Sequence, residues 1–477
     1  MRKFYLLSVL VLLFGCQQGE GRSGKSDLHR NWRYVVAVDS STASDPAWTK
    51  VVDTLVTKYK AKTLTYADVS KINDLLPELK SISPRYVCFV SKPEMAGREL
   101  IVEAAQLLRH IDDDPYGDAI WGVVTGYDAN DALRMVSNAT PKTVKSIASS
   151  MGNPNMLDSW ESGFASDEGN RHQLWSKKIN GTVKFEKTLE PDSAEALAKC
   201  FNEIPVDYFV TSGHATEHDW QVIYNQRAGS LLHRDGKLFF RSSKNVDYPI
   251  SCDNPKVYIA AGNCLIGHVD RPDCMATSWM HTGGVAQMIG YTVPTFYGYC
   301  GWGAKSLFES GRHSASEAFF ISTQMLLWEL GKRNPKLLDI AINPKEDLNV
   351  RKFIQKHGEI IKSNDELGLV WDRDTVAFYG DPAWRVTYPE EKLDIAASVN
   401  GKTIIVNFKR DMQFQKSIDV KAARSISVLF DNPLPPNAKL CNADGAEIPE
   451  AVVTELFAII PLEGTYKTGD KLLFTLK

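Results

Sequence analysis

The chain predicts an α/β protein: a mostly parallel sheet flanked by helices in two subdomains, followed by a small β-sandwich. Three observations predict it. Apolar, β-favouring runs alternate with segments of helical periodicity from Arg33 to about residue 380. Runs such as Val206–Thr211 and Lys256–Ala261 have the continuous apolar character of strands buried on both faces. After Gly380-Asp381-Pro382 the pattern changes to short strands separated by turn signals such as Asn400-Gly401 and Asp444-Gly445.

Taken in order, Tyr34–Val38, Arg85–Val90 and Ala119–Val124 read as buried strands. Pro46–Tyr59 and Gly97–His110 carry apolar residues at three- and four-residue spacing, as sheet-packed helices do. Asp45 caps the first of these, with proline in its first turn. Met151–Asn170, rich in Gly, Ser, Asn and Asp, reads as a junction or long surface loop. A second β/α set follows: helix Ser193–Cys200, strands Val206–Thr211, Lys256–Ala261 and Gly284–Gly290, and one long amphipathic helix near Lys305–Leu330. Thr403–Phe408, Ser425–Phe430 and Leu472–Leu476 supply strands of the sandwich.

The chain has 477 residues, too many for one core; 43% are hydrophobic, 24% are charged and eleven are Trp, the makeup of a globular protein. A net charge of -3 and no basic tract beyond the first few residues exclude nucleic acid as a partner.

The N-terminus differs from the rest. Arg2 and Lys3 precede the apolar run Phe4–Phe14, a secretory signal too short to span a membrane. Leu13-Phe14-Gly15-Cys16 resembles a bacterial lipobox, which implies cleavage and lipidation at Cys16; a plain signal peptide cut nearby is the alternative. The expected location is the bacterial cell envelope. Gln17 after the lipidated cysteine, in place of an inner-membrane-retaining Asp, favours the outer membrane, facing periplasm or exterior. The expected division is 1–16 signal, 17–32 flexible tether, 33–165 N-terminal α/β subdomain, 166–389 catalytic subdomain and 390–477 sandwich. Of the eight cysteines, seven remain beyond Cys16; an odd number outside the cytoplasm leaves at least one unpaired thiol.

The chemistry concentrates where two strands end. Val206-Asp-Tyr-Phe-Val-Thr-Ser-Gly-His214 and Val257-Tyr-Ile-Ala-Ala-Gly-Asn-Cys264 each run apolar, pass through small residues and present one reactive side chain. Parallel strands open their carboxyl ends onto the ligand crevice of α/β proteins. A thiol and an imidazole delivered there are a cysteine nucleophile and its base. The bland alternatives are a buried structural or disulfide-bonded Cys264 and a hydrogen-bonded strand-end His214.

Gly213-His214-Ala215 and Asn263-Cys264, each after a hydrophobic strand, resemble the dyad of caspase-fold cysteine peptidases, and within them the gingipain-like family. Gly283-Gly284-Val-Ala-Gln-Met-Ile-Gly290, Tyr379-Gly380-Asp381-Pro382 and the trailing, immunoglobulin-like β-domain agree with it. The resemblance implies a caspase-like sheet and hydrolysis of peptide bonds in a protein or peptide substrate. Cys264 would be nucleophile through a thioester, His214 its base and then acid, and the amides of Ala215 and Cys264 the oxyanion hole. It implies no cofactor and no metal. The chain departs from the family pattern in two places: Ala215 stands where Gly is usual, and Leu265-Ile266-Gly267 replaces a polar ending. Asp158 or Glu161 would serve as an acid behind His214.

Trp279, Tyr299 and Trp302 are candidate walls of a substrate pocket; Gly298–Gly303 reads either as a substrate loop or as a packed entry to the next helix. Two other functions remain. One is a catalytically inactive relative that binds peptides or envelope partners. The other is a zinc peptidase using His214-Ala-Thr-Glu217-His218 as H-x-x-E-H, which requires those five residues on a helix.

Overall fold

Along Tyr34–Asp39, successive side chains feed two different cores: Val35 and Ala37 point into one, Val36 and Val38 into the other. A strand buried on both faces has no polar alternation, which is why its sequence is apolar throughout. The computed structural model describes residues 33–167, 170–187, 193–222, 229–295, 298–347, 349–414 and 425–477. Cys16 and the tether lie outside the described residues.

Among the described residues, twelve strands form the central sheet. In chain order they are β1 (Tyr34–Asp39), β2 (Lys62–Tyr66), β3 (Tyr86–Val90), β4 (Ile120–Val124), β5 (Ser146–Ser149) and β6 (Ser162–Asp167). Then come β7 (Asn170–Lys177), β8 (Lys184–Lys187), β9 (Tyr208–Thr211), β10 (Lys256–Ala260), β11 (Val285–Tyr291) and β12 (Val376–Tyr379). Their order in space is β2-β1-β3-β4-β12-β11-β10-β9-β5-β6-β7-β8. Antiparallel pairing occurs at β12/β11 and at the β6/β7/β8 end; all other neighbours are parallel. Strand β12 thus joins two parallel halves that run in opposite directions. Only the second half brings carboxyl ends to the edge carrying His214 and Cys264.

Helix α1 (Pro46–Tyr59) starts at Asp45, whose carboxylate accepts from the Ala47 amide, and it buries Trp48, Val51, Val52 and Leu55. It shares a core with α2 (Ala129–Val136), against one face of β1 and β3. The larger core covers the opposite face and continues under the second half.

Two expectations are corrected. Met151–Asn170 is not a loop throughout: β6 lies within it, its run of small residues paired to β5 and β7. The long helix near Lys305–Leu330 is two helices, α3 (Tyr299–Glu309) and α4 (Ala315–Arg333). Ser314 and Glu317 form a reciprocal capping box that restarts the second.

From Ile395 onward the chain forms small antiparallel sheets around their own core of Ile404, Val406, Phe408, Ile426, Val428, Ile460 and Phe474. Among the described residues no helix is long and apolar enough to cross a membrane.

Candidate active site

Strands β9 and β10 pair in parallel from Tyr208↔Val257 to Thr211↔Ala260, and the Ala261 amide continues the ladder to Thr211 O at 2.9 Å. Adjacent strands lie about 4.8 Å apart. His214 and Cys264 therefore leave the same edge from neighbouring strands, three residues past one strand and four past the other.

The two turns are tied together by Asn263. Its fully buried side chain accepts from Thr211 Oγ1 at 2.6 Å and donates to Gly213 O at 3.2 Å. Gly213 sits at φ +111°, a conformation that side chains disfavour, and there the chain turns off the strand. A bridge between Ala215 and Trp220 folds it back, while Trp220 Nε1 donates to Ser212 O at 3.2 Å. The Gln221 amide holds His214 O at 2.9 Å. The bridge uses the amides of Gln221 and Thr216, leaving that of Ala215 outside it. The imidazole of His214 is exposed.

Cys264 is half-buried, and its sulfur accepts from the Thr295 amide at 3.2 Å. The next residue, Leu265, stands at φ +58° and donates to Val293 O at 3.1 Å. A branched side chain in the left-handed region costs about 1–2 kcal/mol. The strain sits immediately after the thiol.

None of the seven described cysteines is in a disulfide. Five are buried, and burial pushes the Cys300 thiol up to about 12 and that of Cys274 to about 11. Cys252 and Cys264 are the two of them that are only partly buried. Cys252 lies before the amino end of β10, where its thiol donates to Gly283 O at 3.3 Å. Cys264 is thus the accessible thiol at the His214 edge.

The other predicted residues separate. Trp302 borders a cavity of about 470 Å³ that Ser149, Val210, Trp160, Tyr388 and Arg410 also line. A Cβ at Gly262 would stand 3.5 Å from Trp302 Nε1, so this ring connects the cavity to the Asn263-Cys264 turn. Trp279 does not line it: the ring is fully buried, 5.4 Å from Phe209 and 5.1 Å from Tyr258, and has no surface to offer a ligand. Tyr299 is also buried, donating to Asp365 at 2.8 Å. Gly298–Gly303 is the packed entry to α3, its first turn closed by Trp302 N to Gly298 O at 3.0 Å.

Glu161 precedes β6, at the amino edge where Lys145 precedes β5, and its carboxylate is 3.5 Å from Lys145. It faces away from the His214 edge. Asp158 ends a short turn before that strand and is exposed. Asp167, at the carboxyl end of β6, is an acidic residue on the same edge of the sheet, two strands from β9. Sequence reading missed it because β6 looked like loop. Residues 214–218 are not helical, so the geometry required for zinc at H-x-x-E-H is absent.

No family model matches the chain, and no curated protein matches it. Among solved structures it is similar to the Arg-specific cysteine proteinase gingipain R, with 12% identity, 92% of each chain covered and a TM-score of 0.41. A complex of Porphyromonas gingivalis RgpB pro- and mature domains matches with 12% identity, 90% of this chain, 93% of that one and a TM-score of 0.39. A structure described as a protease matches with 8% identity, 95% and 98% coverage and a TM-score of 0.39.

Proposed function

We propose that the protein is a cysteine peptidase in which Cys264 and His214 cleave peptide bonds. The observation that supports it is the Asn263 clamp, which locks a solvent-reaching thiol and an exposed imidazole to one sheet edge. In this reading His214 accepts the thiol proton as sulfur attacks the scissile carbonyl carbon. The tetrahedral oxyanion is held by the amides of Ala215 and Cys264. Collapse forms a thioester as His214 returns the proton to the leaving amine, and water then releases the acid. The cavity under Trp302 receives part of the substrate.

We further propose that lipidation at Cys16 holds the protein at the cell envelope, in the outer membrane. The mass of the mature N-terminal peptide checks this, with a diacylglyceryl addition on Cys16 expected. For the chemistry, a thiol-reactive peptide electrophile is the probe. Wild-type protein should label at one site, Cys264→Ala should not label there, and His214→Ala should label at least about a hundredfold more slowly. Equal labelling rates in all three would remove the dyad.

A further inference from the structure

His218 belongs to neither the dyad nor a zinc helix. It faces His233, on the strand Ser230–Arg234, with Nδ1 3.3 Å from His233 Nε2 and ring centroids 5.5 Å apart. On its far side, His233 Nδ1 lies 2.9 Å from Asp273 Oδ1. Asp273 is itself fixed, accepting from the Gly236 amide at 2.9 Å and the Asp235 amide at 3.2 Å. A carboxylate only accepts, so the proton of a neutral His233 resides on Nδ1. Its Nε2 lone pair then points toward His218.

The nitrogen–nitrogen separation of 3.3 Å is long for a hydrogen bond. It fits a different arrangement. Two imidazole nitrogens each about 2.05 Å from one tetrahedral cation stand about 3.3 Å apart. A carboxylate behind a ligating imidazole is the usual outer partner, fixing tautomer and ring orientation. The side chain of His233 is only 6% exposed and so is held in place, while His218 is exposed, so water can complete the coordination.

We propose that His218 Nδ1 and His233 Nε2 form a binding site for a divalent transition-metal ion of the zinc and copper type, with Asp273 orienting His233. Imidazole ligands suit these ions over calcium or magnesium. The ion clips the turn that follows His214 to the neighbouring strand. This site shares no ligand with the dyad and stands whether or not the peptidase reading holds.

The test is zinc alone, titrated calorimetrically into tag-free, chelator-stripped protein. One equivalent should bind with a micromolar dissociation constant. His218→Gln and His233→Gln should each abolish it, and Asp273→Asn should weaken it about 10–100-fold. Cys264→Ala and His214→Ala should leave it unchanged. Thermal melts verify that each variant is folded. With copper(II), the nitrogen hyperfine pattern should report two nitrogens in wild type and at most one in either histidine variant. No binding up to about 1 mM zinc, binding that survives His218→Gln or His233→Gln, or loss in Cys264→Ala or His214→Ala would overturn the proposal.

Discussion

Asn263 has both ends of its buried amide engaged with the neighbouring strand end, so it sets the position of two turns at once. Asn263→Ala leaves Gly213 O without that donor, whereas Thr211 Oγ1 keeps Tyr258 OH at 2.9 Å. A buried acceptor deprived of its partner costs about 1–3 kcal/mol, and urea unfolding should show a loss in that range. The rate of Cys264 labelling should fall at least about tenfold, because a misplacement of about 1 Å costs up to about a hundredfold in an oriented reaction. An unchanged labelling rate in a destabilised variant would separate the clamp from the chemistry. At this scale the placement of His214 and Cys264 just past two strand ends was legible, because each follows an apolar run. The clamp was not, since it depends on the register between two strands fifty residues apart. Trp279 was misread for a related reason: its helix, Met275–His281, is buried on every side up to His281, and that follows from what packs around it rather than from its own residues.

The break between α3 and α4 shows how a short polar stretch redirects an apolar segment. Glu317 lies in the first turn of α4, where it accepts from the Ser314 amide at 2.8 Å and pairs with Arg385 at 3.1 Å. Burial alone would raise its carboxyl, but Arg385, His313 and the Ser314 amide together outweigh burial and bring it from 4.5 down to about 2. A depressed folded value adds stability that is present above the ordinary carboxylate range and is lost as pH falls toward 2. Glu317→Gln should therefore cost about 2–3 kcal/mol at pH 7, and wild type and variant should converge below about pH 3. Denaturant melts at a series of pH values measure it; a constant gap down to pH 2 would mean that the ion pair contributes nothing. Helix α1 was read from the sequence with its observed bounds because cap, proline and apolar spacing agree there. The break before α4 was illegible because apolar residues continue on both sides of it, and β6 because Ser, Gly and Ala carry little strand signal despite pairing on both edges.

Across the molecule, the α/β body and the trailing sandwich were both legible, since hydrophobic period reports strand and helix. The opposite directions of the two halves were not: a strand's apolar pattern carries no sign, and β12 reaches the sheet centre from far along the chain. What joins body to sandwich is a mixed contact. Phe457 packs edge-on against Tyr116 and Phe320 at 5.9 and 5.6 Å, and Arg85 donates to Phe430 O at 2.6 Å. Between α3 and α4, Arg312 pairs with Asp394 at 3.2 Å and His313 Nε2 meets Ser427 Oγ at 2.7 Å. His313 is 4% exposed, and burial holds its imidazole down from 6.5 to about 4, against the pull of Glu317. The folded state thus resists a proton that the unfolded chain takes up readily. Stability should fall as pH drops from about 6.5 toward 4 and level off below, by at most about 3 kcal/mol. The neighbouring Asp394 carboxyl is raised by burial and contributes with the opposite sign, so the comparison must isolate the histidine. His313→Gln retains a partner for Ser427 and cannot titrate. Hydrogen exchange of the strands Ser425–Leu429 and Phe457–Pro461 should lose protection between pH 6.5 and 4.5 in wild type and change less in His313→Gln. Identical profiles in the two proteins would place the acid sensitivity of the junction elsewhere.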